Sequence, residues 1–317
     1  MDEIVKIKNL TIKDDKDNIL VSNVSLNIKK GEIFGLVGES GSGKTLTAKS
    51  IINLLPDNLV YNADLIETVG MNMDNISARE KRELIGKNIG FIPQNTIFFL
   101  HPMIKIKNQI ADGYIEHMKK SKKEALDKAA ILLGKVGFDE PRSILNYYPW
   151  QLSGGMRQRV NIAMALMNEP KLIIADEPTT ALDSTIQRQV VDLFKTINEE
   201  LGISILLISH DLALVKHYSK KIAVMYAGQI VESGIADDIF SNPKHPYTQS
   251  LMKIIPTFNM KKDERLSEIP GFVQETGRGN AGCIFKNRCP EAMDICSEKV
   301  MEHNIENEHY YKCNLED

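Results

Sequence analysis

The segment that most restricts the fold of this chain reads Gly38-Glu39-Ser40-Gly41-Ser42-Gly43-Lys44-Thr45. It follows an apolar β-type run at residues 33–37 and opens a helical pattern at residues 45–55. In that context the glycines let successive backbone N–H groups turn inward around phosphate oxygens, while Lys44 reaches the terminal phosphates and Thr45 offers its hydroxyl to Mg²⁺. The strand, loop and helix together predict a phosphate-binding loop, or P-loop, within an α/β fold.

Short β-type runs recur along the chain and are separated by helical stretches. The runs are residues 4–7, 33–37, 89–93, 172–175, 205–209 and 222–225. This alternation predicts helices packed on a mainly parallel sheet. Between about residues 98 and 168 the strand patterns disappear and helical spacing dominates, as at residues 122–136, so we expect a helical insert there.

Length and charge narrow the class of protein. A chain of 317 residues is long enough for one large α/β domain with a smaller appendage. Its 39 basic and 42 acidic residues give a net charge of −3, so no overall positive field favours nucleic acid or an anionic bilayer. The apolar runs are too short to cross a membrane, and the first residues lack the features of a secretion signal. We expect a cytosolic chain that reaches a membrane through a protein partner.

A second phosphate motif is predicted where the apolar run at residues 172–175 ends in two carboxylates, Asp176 and Glu177. Buried strands often end in acids for structural reasons alone. Beside a P-loop, however, Asp176 is expected to help hold Mg²⁺, and Glu177 to orient and polarise the attacking water. The expected reaction is hydrolysis of a nucleoside triphosphate.

The segment Leu152-Ser153-Gly154-Gly155-Met156-Arg157-Gln158-Arg159 resembles the signature sequence of the ATP-binding-cassette (ABC) ATPases. The resemblance implies a P-loop NTPase core of the ABC type, with an antiparallel β subdomain and a helical insert. It also implies that Ser153, Gly154 and Gly155, at a helix start, cap the γ-phosphate of ATP bound to a partner subunit's P-loop. Two ATP molecules would then lie between two subunits.

Three further elements match the ABC family in order. They are Gln94 after a strand, Ala181-Leu182-Asp183 after the two carboxylates, and His210-Asp211 after the strand that ends at Ser209. By resemblance, Gln94 senses Mg²⁺ and the membrane partner, Asp183 contacts the opposite subunit, and His210 stabilises the γ-phosphate and water. The catalytic residues implied are Glu177, His210, Gln94 and Lys44, and the Mg²⁺ ligands are Thr45, Gln94 and Asp176.

One departure from the family concerns the adenine base. The family usually has an aromatic residue near the end of the first strand, whereas this chain reads Leu10-Thr11-Ile12-Lys13-Asp14 and has no aromatic residue before Phe34. Stacking on an aromatic ring is worth about 1–3 kcal/mol per base in nucleic-acid binders. We therefore expect apolar contact alone to hold adenine, with weaker discrimination of ATP from GTP.

Several segments resemble the dipeptide/oligopeptide (peptide/nickel) importer ATPases. They are residues 148–151, where Trp150 replaces the more usual His, and residues 226–232, 242–248, 269–271 and 282–290. The resemblance implies a subunit that powers import of di- or oligopeptides, with nickel or metal-chelate import as the alternative. The implied partners are two membrane-spanning permease subunits, a second ATPase subunit that is a different homologous chain, and indirectly an extracytoplasmic substrate-binding protein. The implied location is peripheral, on the cytoplasmic face of the cell membrane.

All four cysteines, Cys283, Cys289, Cys296 and Cys313, lie near the end of the chain. A reducing cytosol disfavours disulfides, which favours a thiolate-bound metal. Spacings of five, six and sixteen residues fit neither a zinc finger nor a ferredoxin, so zinc, iron–sulfur or no metal all remain open from the residues, with His309 as a further zinc ligand. Resemblance to the peptide importers implies a [4Fe–4S] cluster on the four cysteines.

The predicted organisation is an ABC ATPase domain at residues 1–255, with its helical subdomain at about 98–168, and a small Cys-rich extension at residues 256–317. Soluble ABC proteins of DNA repair and translation use the same motifs but carry coiled coils, paired cassettes or basic surfaces, which this sequence lacks. A binding protein without activity would not need Glu177 and His210. The sequence therefore favours a transport ATPase.

Overall fold

The computed structural model describes residues 2–94, 99–179, 182, 184–254, 269–271, 282–305 and 308–315. The chain forms two compact units. The first contains residues 1–4, 28–33 and 68–208, and the second contains residues 5–27, 34–67 and 209–317.

The strands and helices are numbered in chain order. The strands are β1 Glu3–Asp14, β2 Ile19–Lys29, β3 Ile33–Val37, β4 Leu59–Asn62, β5 Leu65–Thr68, β6 Met71–Asn72, β7 Ile89–Ile92, β8 Leu172–Asp176, β9 Ser204–Ser209, β10 Lys221–Tyr226, β11 Gln229–Ile235, β12 Glu302–Ile305 and β13 His309–Lys312. The helices are α1 Lys44–Ile51, α2 Ala78–Asn88, α3 Ile106–Met118, α4 Lys122–Lys135, α5 Pro141–Ile144, α6 Gly154–Leu166, α7 Ser184–Leu201, α8 Leu212–Tyr218, α9 Ala236–Ser241 and α10 Pro246–Ile254. All six predicted strands are confirmed, as β1, β3, β7, β8, β9 and β10.

The first unit contains a parallel sheet in the order β7-β8-β9. Every residue of β8 and β9 is buried, as expected for parallel strands covered on both faces. Strand β7 ends before Pro93, because proline has no N–H group with which to continue the ladder. The carboxyl ends of these strands therefore present Gln94 and Asp176 at one edge of the sheet.

Helices also fill the part of the first unit in which strand patterns disappear. Helix α4 begins at a capping box in which Ser121 and Glu124 satisfy each other's backbone N–H groups. Its buried residues include Ala125, Ala129 and Leu133, which recur at the helical period. The helical prediction for residues 122–136 is confirmed.

The second unit contains an antiparallel sheet in which β1 lies between β2 and β5 and also pairs with β4. Buried side chains alternate in the second half of each strand, at residues 10 and 12 of β1 and at residues 24, 26 and 28 of β2, as expected when one face packs against the core. The implied antiparallel β-sheet is thus confirmed.

Helix α1, which follows the P-loop, is shorter than predicted and ends at Ile51 instead of residue 55. Asn53 adopts a left-handed conformation with a φ of 50°, and the N–H groups of Asn53 and Leu54 donate to the carbonyls of Ser50 and Lys49. Asparagine tolerates this conformation, which is typical of a helix C-terminus. The helix therefore stops one turn early.

Residues near the end of the chain extend a sheet of the second unit. Strand β13 pairs antiparallel with β11 and with β12, which gives the order β12-β13-β11-β10-β3. The domain boundary predicted between residues 255 and 256 lies outside the described residues and stays a prediction.

An aromatic cluster anchors residues 282–296, all of which the structure describes. Phe285 is fully buried, and its ring centroid lies 5.2 Å from Tyr226, 5.3 Å from Tyr247 and 5.9 Å from His245. Rings at these separations gain from edge-to-face packing as well as from burial. This segment is held to β10 and α10 of the same unit.

A buried carboxylate, Glu232 on β11, binds groups from two parts of the second unit. It accepts hydrogen bonds from the N–H groups of Lys244 and His245, and its Oε1 lies 2.8 Å from His309 Nε2 on β13. His309, which the sequence offered as a further zinc ligand, therefore contacts Glu232. His245 Nδ1 accepts the N–H of Tyr247, which requires an unprotonated Nδ1.

Replacing Phe285 with alanine should lower the free energy of unfolding by about 3–5 kcal/mol, because it removes a fully buried ring and leaves a cavity. Urea denaturation of the purified chain measures this change. Ile295→Ala is the matched control, since Ile295 is 45% exposed in the same segment and should cost much less. Equal losses in the two variants would contradict the cluster's role.

Stability should also depend on the charge state of His245. Burial lowers the pKa of its ring from 6.5 to about 4, although the negative charge of Glu232 acts to raise it. The unfolded chain therefore takes up this proton first, so the stabilisation is complete above pH 6.5 and is lost as the pH falls towards 4. We expect His245→Gln to remove about 3 kcal/mol of the decrease in unfolding free energy over that range, whereas the exposed His217→Gln should not. Identical pH profiles for the wild type and His245→Gln would contradict this assignment.

Candidate active site

The P-loop lies between β3 and α1 in the second unit, and its backbone requires glycine. Gly38, Gly41 and Gly43 have φ values of 152°, 77° and 102°, where other residues are strained. A Cβ atom on Gly38 would lie 2.0 Å from the carbonyl oxygen of Met225, which is too close for any side chain. Ser40 and Gly41 are exposed at the tip of the loop, and Ser42 is buried beneath it.

Lys44 is folded into the P-loop and is 4% exposed. Its Nζ donates to the carbonyl oxygens of Gly38 and Glu39 at 2.8 and 2.9 Å, and lies 3.5 Å from Ser42 Oγ. The loop itself thus fixes the direction of the ammonium group.

The N-terminus of α1, where Thr45 is the second residue, follows directly on the P-loop. Gly43 is the N-cap residue and provides no side-chain hydrogen bond, and the first turn contains no acidic residue. The first backbone N–H groups of a helix carry partial positive charge and need acceptors. Together with Lys44, they form a phosphate cradle.

The two carboxylates follow one another at the end of β8 in the first unit. Asp176 is 2% exposed. Glu177 has a φ of 47°, and its N–H donates to the carbonyl of Ile208 at 3.0 Å. A left-handed glutamate costs of order 1–3 kcal/mol, so the surrounding contacts must hold it in place.

Gln94 and Glu177 are brought together although 83 positions separate them in the chain. Gln94 Nε2 donates to Glu177 Oε2 at 2.8 Å. The hydrogen bond fixes the direction of the carboxylate that is predicted to orient water. The structure therefore places two predicted site residues in direct contact.

The signature segment forms the start of α6, also in the first unit. Ser153 is the N-cap residue, and its Oγ accepts the N–H of Met156 at 3.3 Å. Ser153 and Gly154 are exposed, and a Cβ on Gly154 would meet open space. The helix N-terminus is thus accessible to an anion brought by another molecule.

Gln158, from the same helix, is a contact residue that the sequence did not single out. It is 3% exposed, and its Nε2 donates to the carbonyl of Pro178 at 2.6 Å, next to Glu177. The signal in the sequence that could have identified Gln158 was its position within the signature segment. The contact ties the signature helix to the segment that follows Glu177.

The remaining predicted residues are placed as follows. His210 is exposed and follows β9, and Asp211 caps α8 by accepting the N–H of Leu214. Asp183 lies outside the described residues. Leu10 and Ile12, from the segment that lacks the usual aromatic residue, are fully buried.

The prediction of an iron–sulfur cluster is wrong. Cys283, Cys289, Cys296 and Cys313 are all described, yet no group of three or more His, Cys, Asp or Glu side chains in the described ranges is arranged to hold a metal ion. The cavity that the cysteines line with Phe285 has a volume of about 10 Å³, which is about the room that one water molecule needs. Burial raises the pKa of the Cys283 thiol to about 11 and also raises those of Cys289 and Cys313, which favours neutral thiols over metal-binding thiolates.

None of the helices in the described part of the chain is both long enough and apolar enough to span a membrane.

Comparisons with known proteins agree with this geometry. The ABC transporter family matches residues 21–180, and the C-terminal region of oligopeptide/dipeptide transporters matches residues 231–296. The dipeptide transport ATP-binding protein DppD of Escherichia coli K12 is 44% identical over 276 residues, covering 87% of this chain and 84% of that protein. The oligopeptide transport ATP-binding protein OppD of Bacillus subtilis is 41% identical over 294 residues, covering 92% and 82%.

Among solved structures, the dimeric ATP-binding cassette MJ0796 in a post-hydrolysis state, bound to ADP and Pi, aligns with a TM-score of 0.66. It is 29% identical, and the alignment covers 73% of this chain and 98% of that one. The chain belongs to the ATP-binding subunits of the ABC transporter family, as an ATP hydrolase coupled to transport, and carries the C-terminal region of the oligopeptide/dipeptide group.

Proposed function

We propose that this chain binds and hydrolyses ATP to power the import of dipeptides or oligopeptides. The observation that carries the proposal is the joint presence, in one chain, of a glycine-dependent P-loop around Lys44 and the C-terminal region of oligopeptide/dipeptide transporters. The names of the relatives include dipeptide and oligopeptide transport proteins, which favours peptides over nickel as the cargo.

ATP phosphates would bind in the cradle formed by residues 38–45. By resemblance to the family, Thr45, Gln94 and Asp176 would be the Mg²⁺ ligands, because hydroxyl, amide and carboxylate oxygens suit this ion. When bound, the ion would neutralise charge on the phosphate oxygens. Lys44 would turn from the loop carbonyls to the terminal phosphates, and the loop would keep it close to them.

Glu177 is the group that we assign to the attacking water. Its carboxylate accepts a hydrogen bond from Gln94 at 2.8 Å, which fixes the orientation of the group. A fixed carboxylate orients the water and accepts its proton without a cost of reorganisation. His210 would stabilise the γ-phosphate and the water.

The exposed N-terminus of α6 supports dimerisation around ATP. Ser153, Gly154 and Gly155 would cap the γ-phosphate held by a second ATPase subunit, and Asp183 would contact that subunit. An anion that arrives from another molecule would complete a helix terminus whose first turn has no acidic residue. The second subunit would be a homologous chain.

Apolar side chains on the helical part of the first unit support a membrane partner. Met103 is 73% exposed and Trp150 is 65% exposed. Their segments are joined, since the N–H of Ile106 donates to the carbonyl of Tyr147 at 2.9 Å. Exposed apolar surface of this kind marks an interaction site. It would receive two permease subunits at the cytoplasmic face of the membrane, while an extracytoplasmic protein supplies the peptide.

The function is tested by reconstituting the chain in liposomes with its permease subunits, the second ATPase subunit and the substrate-binding protein, and measuring ATP-dependent uptake. A labelled dipeptide, a labelled oligopeptide and a nickel chelate are offered in parallel. Uptake of a peptide but not of the chelate is the expected result. Uptake of the chelate alone would overturn the peptide assignment.

Glu177→Gln should reduce ATP hydrolysis by about 100-fold or more, because it removes the group that accepts the water's proton. ATP binding should remain, so the variant should accumulate as an ATP-bound dimer. Phosphate release and size-exclusion chromatography with ATP measure both effects. Glu116→Gln, whose side chain is 76% exposed, is the control. A normal rate of hydrolysis in Glu177→Gln would show that another group activates water.

Lys44→Ala should weaken ATP binding by about 10-fold or more, because it removes a charge-assisted contact to phosphate. Titration with a fluorescent ATP analogue measures the dissociation constant. Lys49→Ala, near the other end of α1, should bind ATP normally. Unchanged affinity in Lys44→Ala would exclude this loop as the phosphate site.

A further inference from the structure

Residues from the C-terminal part of the chain hold the first turn of the P-loop, within the second unit. Arg288 and Glu39 form a bidentate ion pair, with Nη1 2.6 Å from Oε2 and Nη2 3.0 Å from Oε1. The Arg288 side chain is 7% exposed and that of Glu39 is 26% exposed. Paired contacts of this kind fix geometry as well as charge.

The backbone of Glu39 is held from two further directions. Its N–H donates to the hydroxyl of Tyr247 at 3.0 Å, and its carbonyl oxygen accepts Lys44 Nζ at 2.9 Å. Burial raises the pKa of Tyr247, so its hydroxyl stays neutral. The position of Glu39 therefore determines one of the carbonyls that direct the P-loop lysine.

Arg288 is itself held firmly. Its Nε donates to the carbonyl of Pro270 at 2.9 Å, and its Nη2 donates to the carbonyl of Ile269 at 3.0 Å. The guanidinium carbon lies 5.8 Å from the ring centroid of Tyr226. Arg288 ends a short 3-10 helix, Lys286–Arg288, directly after the buried Phe285. The cation that reaches the P-loop has little freedom to move.

The charge of Glu39 makes this contact relevant to ATP. A carboxylate in a phosphate-binding loop repels a triphosphate unless a cation neutralises it. The Arg288 guanidinium supplies that cation, and Tyr226 and residues 269–270 hold it in place. Without Arg288, the partly buried carboxylate would lose its partner and could turn towards the incoming phosphates.

We propose that Arg288 is a positioning residue for ATP binding, which neutralises Glu39 and fixes the first turn of the P-loop. Arg288 acts through Glu39 and Lys44 and does not touch the Glu177 step. It therefore sets the affinity for ATP and leaves the rate of hydrolysis at saturation unchanged. The inference deepens the proposed function, because it assumes that ATP is the ligand of the P-loop.

The test compares the full-length wild type with Arg288→Ala, Glu39→Gln and the double variant. The dissociation constant for a fluorescent ATP analogue with Mg²⁺, the KM and kcat for ATP, and the thermal midpoint are measured for each. Lys312→Ala is the matched control, because Lys312 forms an ion pair with Glu302 in the same C-terminal region, away from the P-loop.

Arg288→Ala should raise the dissociation constant and the KM by about 10-fold, while kcat changes less than about twofold. Adding Glu39→Gln should restore the dissociation constant to within about threefold of the wild type, because the unpaired carboxylate is gone. Lys312→Ala should bind ATP normally. If Arg288 only stabilised the fold, replacing the Glu39 carboxylate as well would not restore the affinity for ATP.

The proposal is overturned if Arg288→Ala binds ATP as the wild type does, or if the double variant binds no better than Arg288→Ala. Should Arg288→Ala fail to fold, Arg288→Lys replaces it, because lysine keeps the charge and loses the bidentate fork. Its dissociation constant should lie between that of the wild type and the value about 10-fold higher expected for Arg288→Ala. Wild-type affinity in Arg288→Lys would overturn the claim that the bidentate geometry matters. A wild-type chain that binds no ATP would instead contradict the proposed function itself.

Discussion

The shape of the P-loop depends on the close approach of two backbone segments, at Gly38 and at the carbonyl of Met225. Strands β3 and β10 are parallel neighbours, and that pairing brings β10 against the start of the loop. With no room for a Cβ at Gly38, the chain turns sharply and its carbonyls point at Lys44. The direction of the lysine, the start of α1 and the position of Glu39 all follow from this one contact.

The second unit connects residues that are far apart in the chain into one continuous set of contacts. Glu232 joins β11 to β13 through His309, the aromatic cluster joins Phe285 to Tyr226 and Tyr247, and Arg288 then joins this region to Glu39. Each contact is buried or nearly so, and electrostatic interactions are stronger when water is excluded. The C-terminal region thus forms part of the framework that supports the phosphate cradle.

Local patterns predicted much of this molecule because the information was local. The six strands and α4 were visible as apolar periodicity, and the P-loop, the paired carboxylates and the signature were visible as contiguous motifs. The early end of α1 was not predicted, because it depends on the left-handed conformation of Asn53. Contacts between distant residues, such as Gln94 with Glu177, could not be read from spacing.

The cysteines show the limit of composition as a guide. Four thiols near the end of a chain that we expected in the cytosol suggested a metal, but spacing carries no information about burial or cavity size. The structure packs them around a space of about 10 Å³, and burial raises the pKa values of Cys283, Cys289 and Cys313. Conversely, nothing in composition indicated that Arg288, between two of these cysteines, reaches the P-loop.

The distance in sequence between Glu39 and Arg288 has a consequence for biosynthesis. The two residues are 249 positions apart, and translation adds about 5–20 residues per second, so roughly 12–50 seconds separate their synthesis. During that interval the P-loop carries an unpaired carboxylate beside its lysine. The nascent chain should therefore acquire its full affinity for ATP only after Arg288 has left the ribosome and paired with Glu39.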